Sequence, residues 1–232
     1  MQTITLNIMK TKYLLFTIGL VFSSASASTL ENEFWGWFVE NQNEIYLFEK
    51  SDDPIFSEFA KRLEIVNPEL GFEFSHVKDN GKRELTISAG GIVSNIPAVE
   101  SLYDSAPTLN KWEIHKFKQR KANLDGFKLG YEGQMVEYKD VQYKIFEDDG
   151  KLGVMLFFQN YSKDKTDFFT GIGFLFIDLS LGEYDVMTKM GFLEIMGDDS
   201  KYFESSKPLK NIVNDFDNYY ANKEPMYKKT GN

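Results

Sequence analysis

The sequence predicts an α+β fold of two related β-β-α-β halves, with further helices at the N-terminal and C-terminal ends. Three observations predict it. Two pairs of short, alternating apolar segments flank turns of similar sequence, D-N-G-K at residues 79–82 and D-D-G-K at residues 148–151. An apolar pattern of helical period follows each hairpin, and a strand-like segment follows each helix.

In the first half, Asp53 and Pro54 form a helix start signal, and apolar residues then recur at helical spacing as far as Val66. The hairpin strands are expected at residues 72–74 and 85–87. The following helix and strand are expected at residues 97–104 and 112–115.

In the second half, the corresponding elements are expected at residues 141–145, 154–158, 167–179 and 192–195, and a terminal helix at residues 209–220. If the halves are related, Trp112 and Phe192 lie in equivalent last strands, and Ile87 and Phe157 lie buried in equivalent second strands. We place the halves at residues 28–122 and 123–232, joined by a polar stretch at residues 121–131. We expect them to pack as one compact unit, because the apolar strand at residues 154–158 needs cover on both faces.

The N-terminus has the pattern of a secretory signal peptide. Lys10 and Lys12 precede an apolar run at residues 13–22, and Ala25-Ser26-Ala27 is a cleavage site of the A-x-A type. The run is shorter than the roughly 20 residues that span a bilayer, which argues against a membrane anchor. We therefore expect residues 1–27 to be removed and the mature protein to be periplasmic or secreted, with no transmembrane anchor.

The composition of the 232 residues excludes several classes of function. With no Cys, the chain has no disulfide, no thiolate nucleophile and no Cys-based metal site. Two His residues leave little room for a His-rich metal cluster or a His-driven active site, and we expect no metal and no cofactor. The formal charge of −9 argues against nucleic-acid binding. Phosphate-binding loops, serine nucleophile elbows and zinc-protease motifs are absent from the sequence.

Glu183, Asp185 and Glu194 are the candidate catalytic residues, because two carboxylates in one cleft can perform acid–base chemistry. The structural alternative is a helix that ends at Gly182, followed by a polar loop in which Lys189 pairs with an acid.

Lys116, Lys118 and Arg120 are candidate binding residues, because they lie in a basic segment of an otherwise acidic chain and could contact an anionic partner. Alternatively, they neutralise acids of the same molecule beside an edge strand. Trp35 and Trp37 could form a sugar-stacking platform or belong to the core.

Six segments give the chain a resemblance to an uncharacterised family of bacterial proteins. The resemblance implies that these segments form one unit, and it implies no activity and no site residue. The segments are F-W-x-W-F at residues 34–38, I-S-A-G-G at 87–91, A-P-x-L-x-x-W at 106–112, L-G-E-Y-D-V at 181–186, K-x-G-F-x-E at 189–194 and S-K-Y-F-E at 200–204.

Two functions remain open on the sequence. The first is a non-catalytic exported binding protein of immunity or inhibitor type, whose acidic surface engages a protein partner. The second is a carboxylate-dependent hydrolase acting on an envelope or extracellular substrate.

Overall fold

The structure is a computed structural model that describes residues 24–50, 55–131 and 133–223. It divides into two compact units, an N-terminal unit that ends at Lys118 and a C-terminal unit that begins at Gln119. The predicted boundary lies four residues further on, between residues 122 and 123. The predicted signal peptide lies outside the described residues, except for its last four residues, which begin the first helix.

The described residues of the N-terminal unit form one three-stranded sheet and three α-helices. Strand order is β1-β2-β3, with β1 antiparallel to β2 and β2 parallel to β3. The helix α3 forms the crossover between the two parallel strands. The elements are α1 (Ser24–Tyr46), α2 (Ile55–Val66), β1 (Gly71–Phe74), β2 (Arg83–Ser88), α3 (Ile96–Asp104) and β3 (Trp112–Lys116).

All three helices of this unit pack on one face of its sheet, because alternate strand residues on that face are apolar. Phe59 of α2 contacts Phe72 of β1, with ring centroids 4.4 Å apart, and Phe38 of α1 contacts Trp112 of β3 at 5.2 Å. The predicted helix α2 is confirmed over its described residues. Its predicted start signal, Asp53-Pro54, lies outside them.

Within the part of the C-terminal unit that the structure describes, a four-stranded sheet of order β8-β7-β6-β9 is accompanied by a separate two-stranded hairpin and three α-helices. β6 is antiparallel to β7, and β7 is parallel to β8. The elements are β4 (Lys128–Tyr131), β5 (Gln134–Glu137), β6 (Gln142–Asp148), β7 (Lys151–Phe158), α4 (Thr166–Leu181), α5 (Glu183–Lys189), β8 (Met190–Gly197), β9 (Lys207–Pro208) and α6 (Ile212–Lys223).

The two units share the predicted β-β-α-β order, and the α+β fold class is confirmed. In each unit an antiparallel hairpin is followed by a helical crossover to a strand that pairs in parallel with the second hairpin strand. Trp112 lies in β3 and Phe192 in β8, the corresponding last strands. Ile87 in β2 and Phe157 in β7 are both buried, as predicted.

The core of the C-terminal unit lies between α4 and the sheet. Ile172 and Phe176 of α4 are buried in the same cluster as Val154 and Leu156 of β7. One polar group in this cluster is satisfied internally, because the Tyr138 hydroxyl lies 2.9 Å from Ser180 Oγ. Among the described helices, none combines the length and the apolar character that crossing a bilayer requires.

Two segments differ from the sequence prediction. The polar stretch at residues 121–131 contains strand β4, whose partner β5 begins at Gln134. The expected polar loop after Gly182 is instead the helix α5. Gly182 has φ 82°, a conformation that ends α4 and redirects the chain, and acids in the first turn of α5 with Lys189 in the last suit the helix dipole.

Candidate functional site

The three candidate catalytic acids lie in different environments. Glu183, in the first turn of α5, is fully buried, whereas Glu194 on β8 is exposed. Asp185 is half-buried and lies 2.6 Å from Arg120 Nη2 and 2.8 Å from Lys189 Nζ. The pairing of Asp185 with Lys189 is the contact that the structural alternative predicted. The hydrolase function that rests on these three acids stays a prediction.

Arg120, a candidate binding residue, connects three segments of the C-terminal unit. Its Nη1 contacts both carboxylate oxygens of Asp217 at 2.9 Å, and its Nε donates to the carbonyl oxygen of Leu181 at 2.6 Å. With the bond to Asp185, the guanidinium ties the C-terminus of α4 to α5 and α6. This geometry fixes the side chain as a structural link.

The other two candidate cations belong to the N-terminal unit. Lys116 Nζ lies 3.6 Å from a carboxylate oxygen of Glu100 and 5.5 Å from the ring centroid of Tyr103. Lys118 is half-buried just after β3. Lys116 thus has an acidic partner inside its own unit, as Arg120 does in the other.

Trp35 and Trp37 point to different sides of α1, because two residues advance a helix by about 200°. Trp35 is 3% exposed, and its Nε1 donates to the carbonyl oxygen of Leu102 at 2.8 Å. Trp37 is half-buried, with Arg62 over its ring at 5.5 Å. The pair therefore does not form a stacking platform.

The exposed side of α1 carries acids and no base. We define the α1 outer face by its exposed residues, which recur at intervals of one or three. The helix contains four Glu residues but no Lys or Arg. This face thus presents one sign of charge. Its members are Asn32, Glu33, Gly36, Val39, Glu40, Asn43 and Glu44.

A hollow of about 440 Å³ adjoins the C-terminal half of this face. Residues of α1 form one side, and the segment that precedes β3 forms the other. Trp112 Nε1 donates to the carbonyl oxygen of Gln42 at 3.4 Å, which holds the two sides together. The lining residues are Val39, Gln42, Asn43, Pro107, Thr108, Leu109, Asn110 and Lys111.

In the N-terminal unit, the face of the sheet that points away from the three helices carries a cluster of two carboxylates and an imidazole. We call Glu84, Glu113 and His115 the sheet-face cluster; one ligand atom from each lies within 4.8 Å of the other two. Lys78 Nζ lies between the carboxylates, 2.7 Å from Glu84 Oε1 and 2.9 Å from Glu113 Oε2. These contacts raise the pKa of Lys78, and the Lys78 ammonium lowers the pKa of Glu113.

His115 differs from the two carboxylates, because its Nε2 makes no hydrogen bond. Its Nε2 is shielded from solvent and lies 3.5 Å from Glu84 Oε1, close enough for an ion pair when protonated but without a hydrogen bond. The side chain as a whole is 34% exposed, although Nε2 itself is enclosed.

Sequence reasoning did not find the sheet-face cluster. Glu113 and His115 alternate on one strand, which was a visible signal, but Glu84 comes from a strand 29 residues earlier. The parallel register that pairs Glu84 with Glu113 and Thr86 with His115 brings the three together.

Comparison of the chain with protein-family models, with curated proteins and with solved structures gives no match. The resemblance drawn from the six sequence segments therefore stays a prediction.

Proposed function

We propose that the protein is a non-catalytic binding protein of immunity or inhibitor type, whose α1 outer face engages a basic surface of a partner protein. The observation that carries this proposal is the uniform charge of α1. Its 23 residues contain acids and no base, and Glu33 and Glu40 are exposed on one side. A surface of one sign attracts and orients a partner of the opposite sign.

The hollow beside this face supports the same function. A concave surface whose side chains are neutral or apolar, apart from Lys111, can accept a protruding side chain of the partner. The Lys111 ammonium donates to Asn43 Oδ1 at 3.4 Å, and the acids of the α1 outer face lie outside the hollow and set the partner's orientation. Val39 is 41% exposed and belongs both to the hollow and to the α1 outer face. Apolar contact in the hollow and charge attraction by the α1 outer face would therefore act side by side at Val39.

The location proposed is an exported one, in the periplasm or outside the cell. The charged and apolar pattern of residues 1–27 supports it, together with a sequence free of Cys that needs no oxidative folding step. Removing residues 1–27 takes away two lysines and no acid, which makes the mature chain more acidic still.

Charge reversal on α1 tests the proposal. The immobilised mature protein and its Glu33→Lys/Glu40→Lys variant are incubated with exported proteins of the producing cell, at low and at high salt. A protein that binds to the wild type is then purified and its affinity for each variant is measured. We expect binding that weakens with salt and falls at least about tenfold in the variant, because close charge pairs across interfaces contribute more than about 1.4 kcal/mol together.

The matched control is Asp198→Lys/Glu204→Lys, which changes the net charge equally at exposed acids of the C-terminal unit. It is expected to retain wild-type affinity. Equal losses in the two variants would indicate an effect of net charge alone and would contradict a site on α1. Binding by the α1 variant at wild-type affinity would contradict it too.

A further inference from the structure

We propose that Glu84, Glu113 and His115 form a binding site for a divalent transition-metal ion of the zinc type, in which the metal competes with the ammonium group of Lys78. A bound metal ion would link β2 to β3 through its ligands. The site is independent of the partner-binding function of α1, because the three ligands lie on the face of the sheet that the helices do not cover.

The ligand set fits this class of metal. One imidazole nitrogen and two carboxylates give three protein ligands, which is the usual number for a zinc site that keeps one position open. An imidazole ligand also favours zinc, copper or nickel over calcium and magnesium, which prefer oxygen ligands alone.

The spacing of the ligand atoms requires only side-chain adjustment. In a tetrahedral site with bonds of about 2.1 Å, neighbouring ligand atoms lie about 3.4 Å apart. His115 Nε2 and Glu84 Oε1 are already 3.5 Å apart, and all three ligand atoms lie within 4.8 Å of one another. The carboxylates of Glu84 and Glu113 can close the remainder by rotation, because both side chains are partly exposed.

The backbone holds the three ligands on one face. Glu84 is in register with Glu113, and Thr86 with His115, on two parallel strands of one sheet. Because side chains alternate across a strand, Glu84, Glu113 and His115 all project from the same face. Rigid strands hold ligand geometry more closely than loops do.

Two observations indicate that this position attracts a cation. The Lys78 ammonium already binds both carboxylates, at 2.7 and 2.9 Å. His115 Nε2, in contrast, is shielded from solvent and makes no hydrogen bond, so the internal cation leaves it unsatisfied. A metal ion would bind the two carboxylates and also the lone pair of the neutral imidazole at Nε2, to which the Lys78 ammonium donates no hydrogen bond.

Lys78 can leave the site when a metal enters. It precedes the turn between β1 and β2, its side chain is 40% exposed, and its ammonium group can move into water. Lys82 Nζ lies 3.7 Å from Glu113 Oε1 and adds further positive charge to the site. Metal binding by the wild type is therefore weakened by a competing charge, and removal of Lys78 should strengthen it.

Four proteins test the site: the wild type and the variants His115→Ala, Lys78→Met and His76→Ala. His76 is the matched control because it is the only other histidine in the chain and its side chain is 71% exposed beside Glu49. Zn²⁺ affinity is measured by competition with a chromophoric chelator. Binding of Co²⁺ is followed by its visible absorption, which reports coordination geometry, and thermal unfolding is recorded with and without Zn²⁺.

We expect the wild type and His76→Ala to bind one Zn²⁺ with equal affinity and to unfold at a higher temperature in its presence. His115→Ala should bind at least about tenfold more weakly, since even residues behind the ligands change metal affinity by about 10–100-fold. Lys78→Met should bind more tightly than the wild type. Ca²⁺ in excess should not displace the zinc.

Three results would overturn the proposal. They are an affinity unchanged by His115→Ala, loss of binding in His76→Ala, and Zn²⁺ binding that is absent from both the wild type and Lys78→Met. If His115→Ala does not fold, as judged by circular dichroism, Glu113→Gln replaces it, because the amide keeps the size of the carboxylate and removes a charged ligand. An unchanged affinity in that variant would count equally against the site.

Discussion

The two β-β-α-β units have the same strand order but different chemistry on the sheet face that their helices leave uncovered. In the N-terminal unit this outer face carries Glu73, Glu84, Thr86 and the residues Glu113 and His115. In the C-terminal unit the corresponding face carries mainly aromatic and sulfur-containing side chains, with Gln142, Lys144 and Glu194 among them. Its residues include Phe146, Gly153, Met155, Phe157, Phe192 and Met196.

Local packing explains how the C-terminal unit keeps its apolar outer face. Phe157 is 1% exposed and contacts the ring of Phe203 at 5.6 Å, and Phe146 contacts Tyr202 at 6.2 Å. Both partners belong to the segment between β8 and β9, which lies over this face. The N-terminal unit ends at β3 and has no equivalent segment among its described residues.

The comparison shows that topology and surface chemistry are separable in this fold. The hairpin turn and the helical crossover determine strand order in both units, while the residues at alternate strand positions determine what each outer face can do. Ile87 and Phe157 illustrate the difference. They occupy equivalent strands and both are buried, but Ile87 faces the helices of its unit and Phe157 faces away from those of its own.

The largest expected effect is the removal of an aromatic side chain from the covered outer face. Phe157→Ala should lower the free energy of unfolding by about 3–5 kcal/mol, because a buried ring is lost and a cavity opens against Phe203. Thr86→Ala, on the outer face of the N-terminal unit, should cost less than about 1 kcal/mol. Urea denaturation of both variants measures the difference, and similar losses would contradict the contrast between the faces.

A second, smaller effect is expected at Gly153, which makes room for the ring of Phe192. A Cβ atom at this residue would lie 2.0 Å from Phe192 Cε1, on neighbouring strands. Gly153→Ala should therefore destabilise the protein by about 1–3 kcal/mol through overpacking. Phe192→Leu in the same chain should recover part of this loss, because a smaller side chain relieves the contact. A double-mutant cycle in urea measures the recovery, and purely additive losses would contradict it.

The shared β-β-α-β order of the two units could be predicted from the sequence because it depends on local patterns. Turn residues, strand alternation and the helical period of residues 167–179 all act within a few positions. The contrast between outer faces depended on register and on coverage by a distant segment, which those patterns do not specify. Glu84 and His115 became neighbours only through parallel pairing of β2 with β3, and the partners of Arg120 lie 65 and 97 residues away.

The smallest effect concerns two carboxylates that each lie between two lysines, Glu113 in the N-terminal unit and Glu137 in the C-terminal unit. Lys128 and Lys139 contact Glu137 at 2.6 and 2.9 Å and lower its pKa to about 2. Since the ordinary value is 4.5, the folded state binds fewer protons than the unfolded state between these values. The resulting stabilisation is complete above about pH 4.5 and disappears as the pH falls through 2.

Titration of the side-chain carboxyl carbon by NMR measures this effect directly. In the wild type, we expect Glu137 to remain ionised to about pH 2, and in Lys128→Gln/Lys139→Gln its pKa should return toward 4.5. The pKa of Glu113 should remain low in that variant, because its lowering depends chiefly on Lys78. Lys78→Met should produce the reverse pattern. If either variant changed the pKa of Glu113 and the pKa of Glu137 together, both shifts would reflect net charge rather than the local lysine contacts. That result would contradict the assignment of each pKa to its own pair of lysines.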